Sequence, residues 1–145
     1  MSASTLDQAP GALTCLIELA SRTFAVEIEQ AREARVFADY TPVPLAPAHL
    51  VGMTNLRGAI IPIVDLGVLL GLPARSGTID ALVVEANGVR VALAVDRVLG
   101  VEALESASGY GEPGAESPRF ERGHLRRGGD AVAILDVAKI VESLA

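Results

Sequence analysis

The sequence predicts a mainly β protein built from small barrels. Three observations carry this. Half of the 145 residues are hydrophobic, yet aromatics make up only 3% and Trp is absent. The core must therefore come from Val, Leu, Ile and Ala, many of them β-branched and suited to strands. Short apolar runs recur along the chain with turn residues between them, and few segments suit a helix. Finally, IIPIVDLGVLL (60–70) and AVAILDVAKIV (131–141) each run apolar strand, Asp, amphipathic helix. That shared plan suggests two similar halves.

Taken in order, residues 1–13 are mostly small and polar, with Pro10 and Gly11, and read as a flexible tail. TCLIELA (14–20) and TFAVE (23–27) predict two strands separated by Ser21-Arg22. IEQAREA (28–34) lacks breakers and predicts a short helix. DYTPVPLAP (39–47) carries three prolines, which fit an extended surface loop and no regular helix or central strand. Met53 to Leu56 leads into a turn at Arg57-Gly58. Ile60 to Val64 reads as a strand whose Pro62 implies an edge or a bulge. Asp65 caps a short helix over 66–70. Asn87-Gly88 between the runs 79–86 and 89–96 is a hairpin signal, because both turn positions need positive φ. A strand follows over about 98–104. Residues 105–118, rich in Gly, Ser, Pro and Glu, predict a flexible loop. The chain returns with 119–126, a Gly128-Gly129-Asp130 turn, a strand over 131–135 and a helix over 136–144.

Composition also narrows function. The formal net charge of -6 disfavours nucleic acid and anionic lipid as partners. One cysteine, Cys15, forms no internal disulfide, and the start of the chain lacks a signal-peptide pattern, so a cytoplasmic setting is expected. No apolar run approaches the ~20 residues that span a bilayer, so no membrane insertion is expected.

Asp65, Asp96 and Asp136 each follow an apolar strand, and carboxylates sharing a cleft could do acid/base chemistry. Helix capping explains Asp65 and Asp136 more simply, and a strand end or turn explains Asp96. Gly109, Gly111 and Gly114 match GxGxxG, but they lie in a loop with Pro113 and Glu112 inside the motif, and Glu112 would repel a pyrophosphate. Cys15, His49 and His124 are too dispersed for a metal site or a Cys/His dyad. Neither a metal nor a cofactor is expected, and no catalytic residue is assigned. Arg119, Arg122, Arg126 and Arg127 form a basic cluster with His124. It reads as a solvated strand face or as a contact for an acidic partner, the former being favoured. Arg57 stands out, because a turn arginine between apolar segments can pair bidentately with a carboxylate, and Glu33 is the candidate partner.

At this point TPVPLAPAHLVGMTNLRGAIIPIVDL (41–66) resembles the signature of the CheW-like domain family. FAVEIEQAREA (24–34), RVALAVDRVLGVE (90–102) and AVAILDVAKIV (131–141) are similar to further blocks of that family. The resemblance covers about residues 14–145, with 105–118 unmatched. It implies a single domain of two SH3-like five-stranded β-barrel subdomains with short helices. It also implies a non-catalytic adaptor that links methyl-accepting chemoreceptors, at their cytoplasmic tip, to the regulatory domain of a CheA-type histidine kinase. Carried over by position, Arg57 and Glu33 resemble the family's paired structural and receptor-contact residues. Ala31 is expected on the same helix face as Glu33, and Leu56 lies beside Arg57 in the signature. Gly52 and Gly58 resemble its backbone-geometry glycines, and Val98 and Val101 its receptor-groove positions. Departures exist. Ala31 is smaller than the branched residue usual there, and Gly67 stands where Arg is common. These leave a second possibility: a regulator or decoy that binds one partner in a pathway with another output, such as surface motility.

Overall fold

The computed structural model describes residues 12–73, 77–106 and 120–144. Ten strands and two short helices make it up. Strands β1 (Ala12–Leu19) and β2 (Arg22–Glu27) form a hairpin, and β3 spans Ala31–Phe37. A second hairpin, β4 (Leu50–Leu56) and β5 (Ala59–Asp65), leads into α1 (Leu66–Leu69). Then come β6 (Ile79–Ala86), β7 (Val89–Val95) and β8 (Arg97–Ser106). The chain ends in β9 (Glu121–Arg127), β10 (Asp130–Leu135) and α2 (Val137–Glu142).

The strands form two five-stranded sheets. One closes into a barrel in the order β1-β2-β10-β9-β8, and the other runs β3-β6-β7-β5-β4. The repeated strand–Asp–helix plan falls once in each, as β5–α1 and β10–α2. Each of these strands makes its sheet's parallel pairing, β5 with β7 and β10 with β2. The two similar units are therefore interleaved along the chain. The first barrel takes both chain ends, and the second sheet is inserted between β2 and β8.

Side-chain alternation sorts the apolar residues into three clusters. Leu16, Ala25, Leu104, Leu125 and Val132 pack within the first barrel. Phe37, Leu56, Ile61, Ile63, Ile79 and Ala81 pack within the second sheet, with Val83, Ala92 and Ala94. The largest cluster draws on both sheets. It joins Cys15, Ile17, Leu19 and Val26 to Leu82, Val84, Leu93 and Val95, and it takes in Leu66 and Ile140 from the helices. The two lobes thus share one apolar seam.

Several expectations are corrected. The helix over 28–34 does not form. Gln30 N–H donates to the Glu27 carbonyl and Ala31 N–H to the Ile28 carbonyl, making a turn. Ala31–Phe37 then pairs with β6, with a register shift between Ala31 and Glu33. Helix preference in IEQAREA is a fraction of a kcal/mol per residue, and pairing with a buried strand overrides it. Pro62 does not mark an edge, since β5 lies between β4 and β7. Its missing N–H is tolerated because at Pro62 only β4 pairs; the β7 ladder begins at Ile63. The first turn is Ala20-Ser21, one residue earlier than expected. Ala12 and Leu13, assigned to the tail, belong to β1, and Glu105 and Ser106, assigned to the loop, close β8. Residues 1–11 and 107–118 of those two segments lie outside the described residues.

Candidate functional site

Three features are built on the second sheet and its borders. The first is the tip of the β4–β5 hairpin. Arg57 and Gly58 both have positive φ, +52° and +87°. Asn55 Oδ1 accepts the Gly58 N–H at 2.9 Å, which fastens the turn. The turn aims Arg57 across the sheet to Glu33 on β3. There the guanidinium makes the bidentate pair anticipated from sequence, Nη1 to Oε1 and Nη2 to Oε2, the latter 2.8 Å. Arg35 Nη1 adds a longer contact to Glu33 Oε2 at 3.5 Å. The Glu33 side chain is mostly sheltered at 23% exposure, while Arg57 is open at 65%. The Arg57 hydrogen bond, then its charge and that of Arg35, hold the Glu33 carboxyl below its ordinary pKa, and Glu33 raises that of Arg57.

The second feature is the seam between the edges of the second sheet. β3 and β4 are its two outer strands. The chain after β3 bends back onto β4, where Thr41 and Met53 exchange backbone hydrogen bonds of 2.8 and 2.9 Å. Thr54 Oγ1 donates to the Asp39 carbonyl at 2.9 Å. The Arg57–Glu33 pair continues this seam, so the open sheet is drawn toward a barrel by one bridge, one hydroxyl and one ion pair. Gly52 permits the approach: a Cβ there would lie 2.7 Å from the Thr41 carbonyl oxygen and 3.0 Å from Tyr40 Cδ1.

The third feature is a shallow groove between the lobes, about 300 Å³, lined by Ala34, Arg35, Val36 and Asp80 from one sheet and Arg97 and Val98 from the other. Val36 is 61% exposed, and Val101, farther along β8, is 57% exposed. The groove lining is thus mixed, with Ala34, Val36 and Val98 interleaved with Arg35, Asp80 and Arg97.

The residues singled out from sequence divide accordingly. Arg57, Glu33, Gly52 and Gly58 meet at the tip and seam. Val98 lines the groove and packs partly against the shared core. Ala31 sits on a strand, partly buried against that same core, so the helix face assigned to it does not exist. Leu56 is corrected as a surface contact: at 2% exposure it lies inside the second sheet and supports the turn that presents Arg57. Sequence reasoning assigned no role to Thr54, Asp39 and Thr41, whose only signal was a place in the proline segment or in the family signature.

The alternative chemistries find different uses for their residues. Asp65 and Asp136 cap the two helices, accepting from Val68 N–H at 3.3 Å and Lys139 N–H at 3.0 Å. Asp96 Oδ2 accepts the Ala20 N–H at 2.7 Å. The three carboxylates therefore serve three separate backbone sites. The arginines of β9 are each matched by a carboxylate: Arg122 with Glu27, Arg126 with Glu105, Arg127 with Glu102. This is the solvated strand face. Arg119 and the GxGxxG glycines lie outside the described residues. Cys15 is buried, and burial pushes its thiol pKa up. Among the described residues there is no cluster of three or more metal-ligating side chains, and no helix is long and apolar enough to cross a membrane.

Comparison with known proteins agrees with this architecture. The model of the CheW-like domain matches residues 14–145. The chain is 32% identical over 125 residues to the chemotaxis protein CheW of Rhizobium meliloti, covering 83% of this chain and 81% of that one. It is 29% identical over 129 residues to the chemotaxis protein CheW of Thermotoga maritima, covering 88% and 85%. In structure it is similar to the scaffolding protein TtCheW from Thermoanaerobacter tengcongensis, with a TM-score of 0.75, 24% identity, and coverage of 86% of this chain and 88% of that one. A signature carried on a fastened hairpin tip, two five-stranded sheets on one shared core and a match running from residue 14 to the last residue place the chain in the CheW-like domain family.

Proposed function

We propose that this chain is a non-catalytic adaptor that joins chemoreceptors to a CheA-type histidine kinase in a bacterial chemosensory array. The observation that carries this reading is the groove between the lobes, with apolar Val36 and Val98 on opposite walls and the Arg57 hairpin fastened to β3 beside it. Accessible valine beside charged side chains is a composition that suits a protein-binding patch. Residues 14–145 act as one unit, because the sheets share a core. The receptor tip lies along the groove, contacting Val98 and Val101, while Arg57, Glu33 and their glycines fix the adjoining wall. The regulatory domain of the kinase, itself barrel-built in this family, takes another face. The chain works in the cytoplasm and is recruited to membrane-associated receptors by these contacts. Individual contacts need not be strong, because linked receptors, kinases and adaptors gain from multivalency.

A reconstitution tests this: a receptor cytoplasmic fragment and kinase are assayed for receptor-controlled phosphorylation with and without the chain. Coupling only in its presence supports the adaptor. Binding to one partner alone, measured in separate pull-downs, supports the regulator reading instead. Arg57→Glu is expected to weaken receptor coupling while the far-UV spectrum stays native. Normal coupling in that variant would remove Arg57 from the contact.

A further inference from the structure

We propose that the arginine-rich rim of the second sheet is a docking site for an extended acidic segment of a partner protein, one with carboxylates at alternate positions. Two Arg–Glu–Arg triads lie side by side there. Glu33 is shared by Arg35 and Arg57. Glu85 is shared by Arg32, at 3.3 Å, and Arg90, at 3.0 Å. Along β9, by contrast, neighbouring arginines meet different carboxylates, Arg122 with Glu27, Arg126 with Glu105 and Arg127 with Glu102. Four guanidiniums thus share two carboxylates. Counting Glu29 of the adjoining turn still leaves more positive than negative groups, on a chain of net charge -6. The carboxylates are sheltered and the guanidiniums exposed, so the excess faces outward. An arginine that gives part of its five-donor fork to a shared carboxylate keeps N–H donors for another.

The spacing selects the occupant. Glu33 pairs in register with Val83, and Glu85 lies two residues along the same strand. Strand geometry then separates the triad centres by roughly 8 Å. Residues i and i+2 of an extended chain are roughly 7 Å apart on one face, so two alternate carboxylates span both triads. A single small anion reaches only one. This inference rests on the ion-pair arrangement and does not depend on the adaptor reading.

The test uses the whole chain, labelled with nitrogen-15, and the capped peptide Glu-Thr-Glu-Thr-Glu as probe, at low ionic strength where charge contacts are least screened. The expected result is movement of the Nε–H signals of Arg32, Arg35, Arg57 and Arg90, reversed by salt. The Gln-Thr-Gln-Thr-Gln peptide should leave them in place. The pair Arg32→Gln with Arg90→Gln should bind the acidic peptide roughly fivefold more weakly, and Arg122→Gln with Arg126→Gln should bind it as the parent does. The same spectra report whether each variant is folded. Unmoved rim signals, equal weakening in both double variants, or equal movement with inorganic phosphate at matched ionic strength would each overturn the proposal.

Discussion

Gly52 shows how far one residue can carry a fold. Its neighbourhood is backbone, the Thr41 carbonyl at 2.7 Å from any added Cβ, so the crowding cannot be relieved by turning a side chain. Gly52→Ala is expected to cost about 1–3 kcal/mol, as overpacking does, and to loosen the Thr41–Met53 bridge. Urea unfolding with hydrogen exchange at Met53 checks this; unchanged stability and protection would mean the approach is not needed. This glycine was visible in the sequence only through the family signature, since nothing near it predicts that residue 41 folds back onto it. Gly58 was legible, because it follows a turn arginine. Asn87-Gly88 was more so, and the structure gives both residues positive φ, +54° and +77°. Ala20-Ser21 was not legible. Neither residue favours its φ of +52° and +66°. The turn is held by Asp96, whose carboxylate and backbone N–H both bond to residues at the end of β1. A partner 76 positions away leaves no local trace.

At the scale of elements, cross-strand ion pairs do much of the edge work. Glu33, Glu85 and Glu102 each sit beside arginines whose hydrogen bonds hold their carboxyls below the ordinary value. A carboxyl that binds its proton less readily when folded leaves the unfolded chain taking up more protons as pH falls. The stabilisation from these pairs is therefore present in full above the usual carboxylate range, roughly pH 4, and is lost as pH falls through and below it. A chain carrying Glu33→Gln, Glu85→Gln and Glu102→Gln should lose less stability than the parent between pH 7 and about 3.5 in urea titrations. Equal losses would show the pairs to be thermodynamically silent, as many exposed pairs are. Strand β3 is where element prediction failed. Only Val36 and Phe37 favour a strand, and the preceding AREA favours a helix. What decides the segment is the unsatisfied edge of β6, to which it supplies a ladder.

At the scale of the whole molecule, the cluster shared by both sheets makes the lobes mutually dependent. Leu93 is fully buried within it. Leu93→Ala is expected to cost about 2–5 kcal/mol and to lower exchange protection in β1 as well as in β7. Loss confined to β7 and its neighbours would show that the lobes unfold separately. The shared core also bears on function. It holds the two walls of the groove together, so Val36 and Val98 line one groove although they lie 62 positions apart, 98 minus 36, on different sheets.

The sequence by itself determined the class of fold, the turns that glycine and asparagine permit, the two aspartate caps and the Arg57–Glu33 pairing. Apolar alternation, turn chemistry and capping act within a few residues, and the pairing was named from the bidentate chemistry of a turn arginine, to which the family resemblance added. Only the tertiary structure decided that β3 is a strand, that Leu56 is core, that the repeated plan is interleaved between sheets, and that four arginines share two carboxylates on one rim. Those outcomes depend on which edges and faces remain unpaired once the other strands have packed, and that is a property of the assembled sheets.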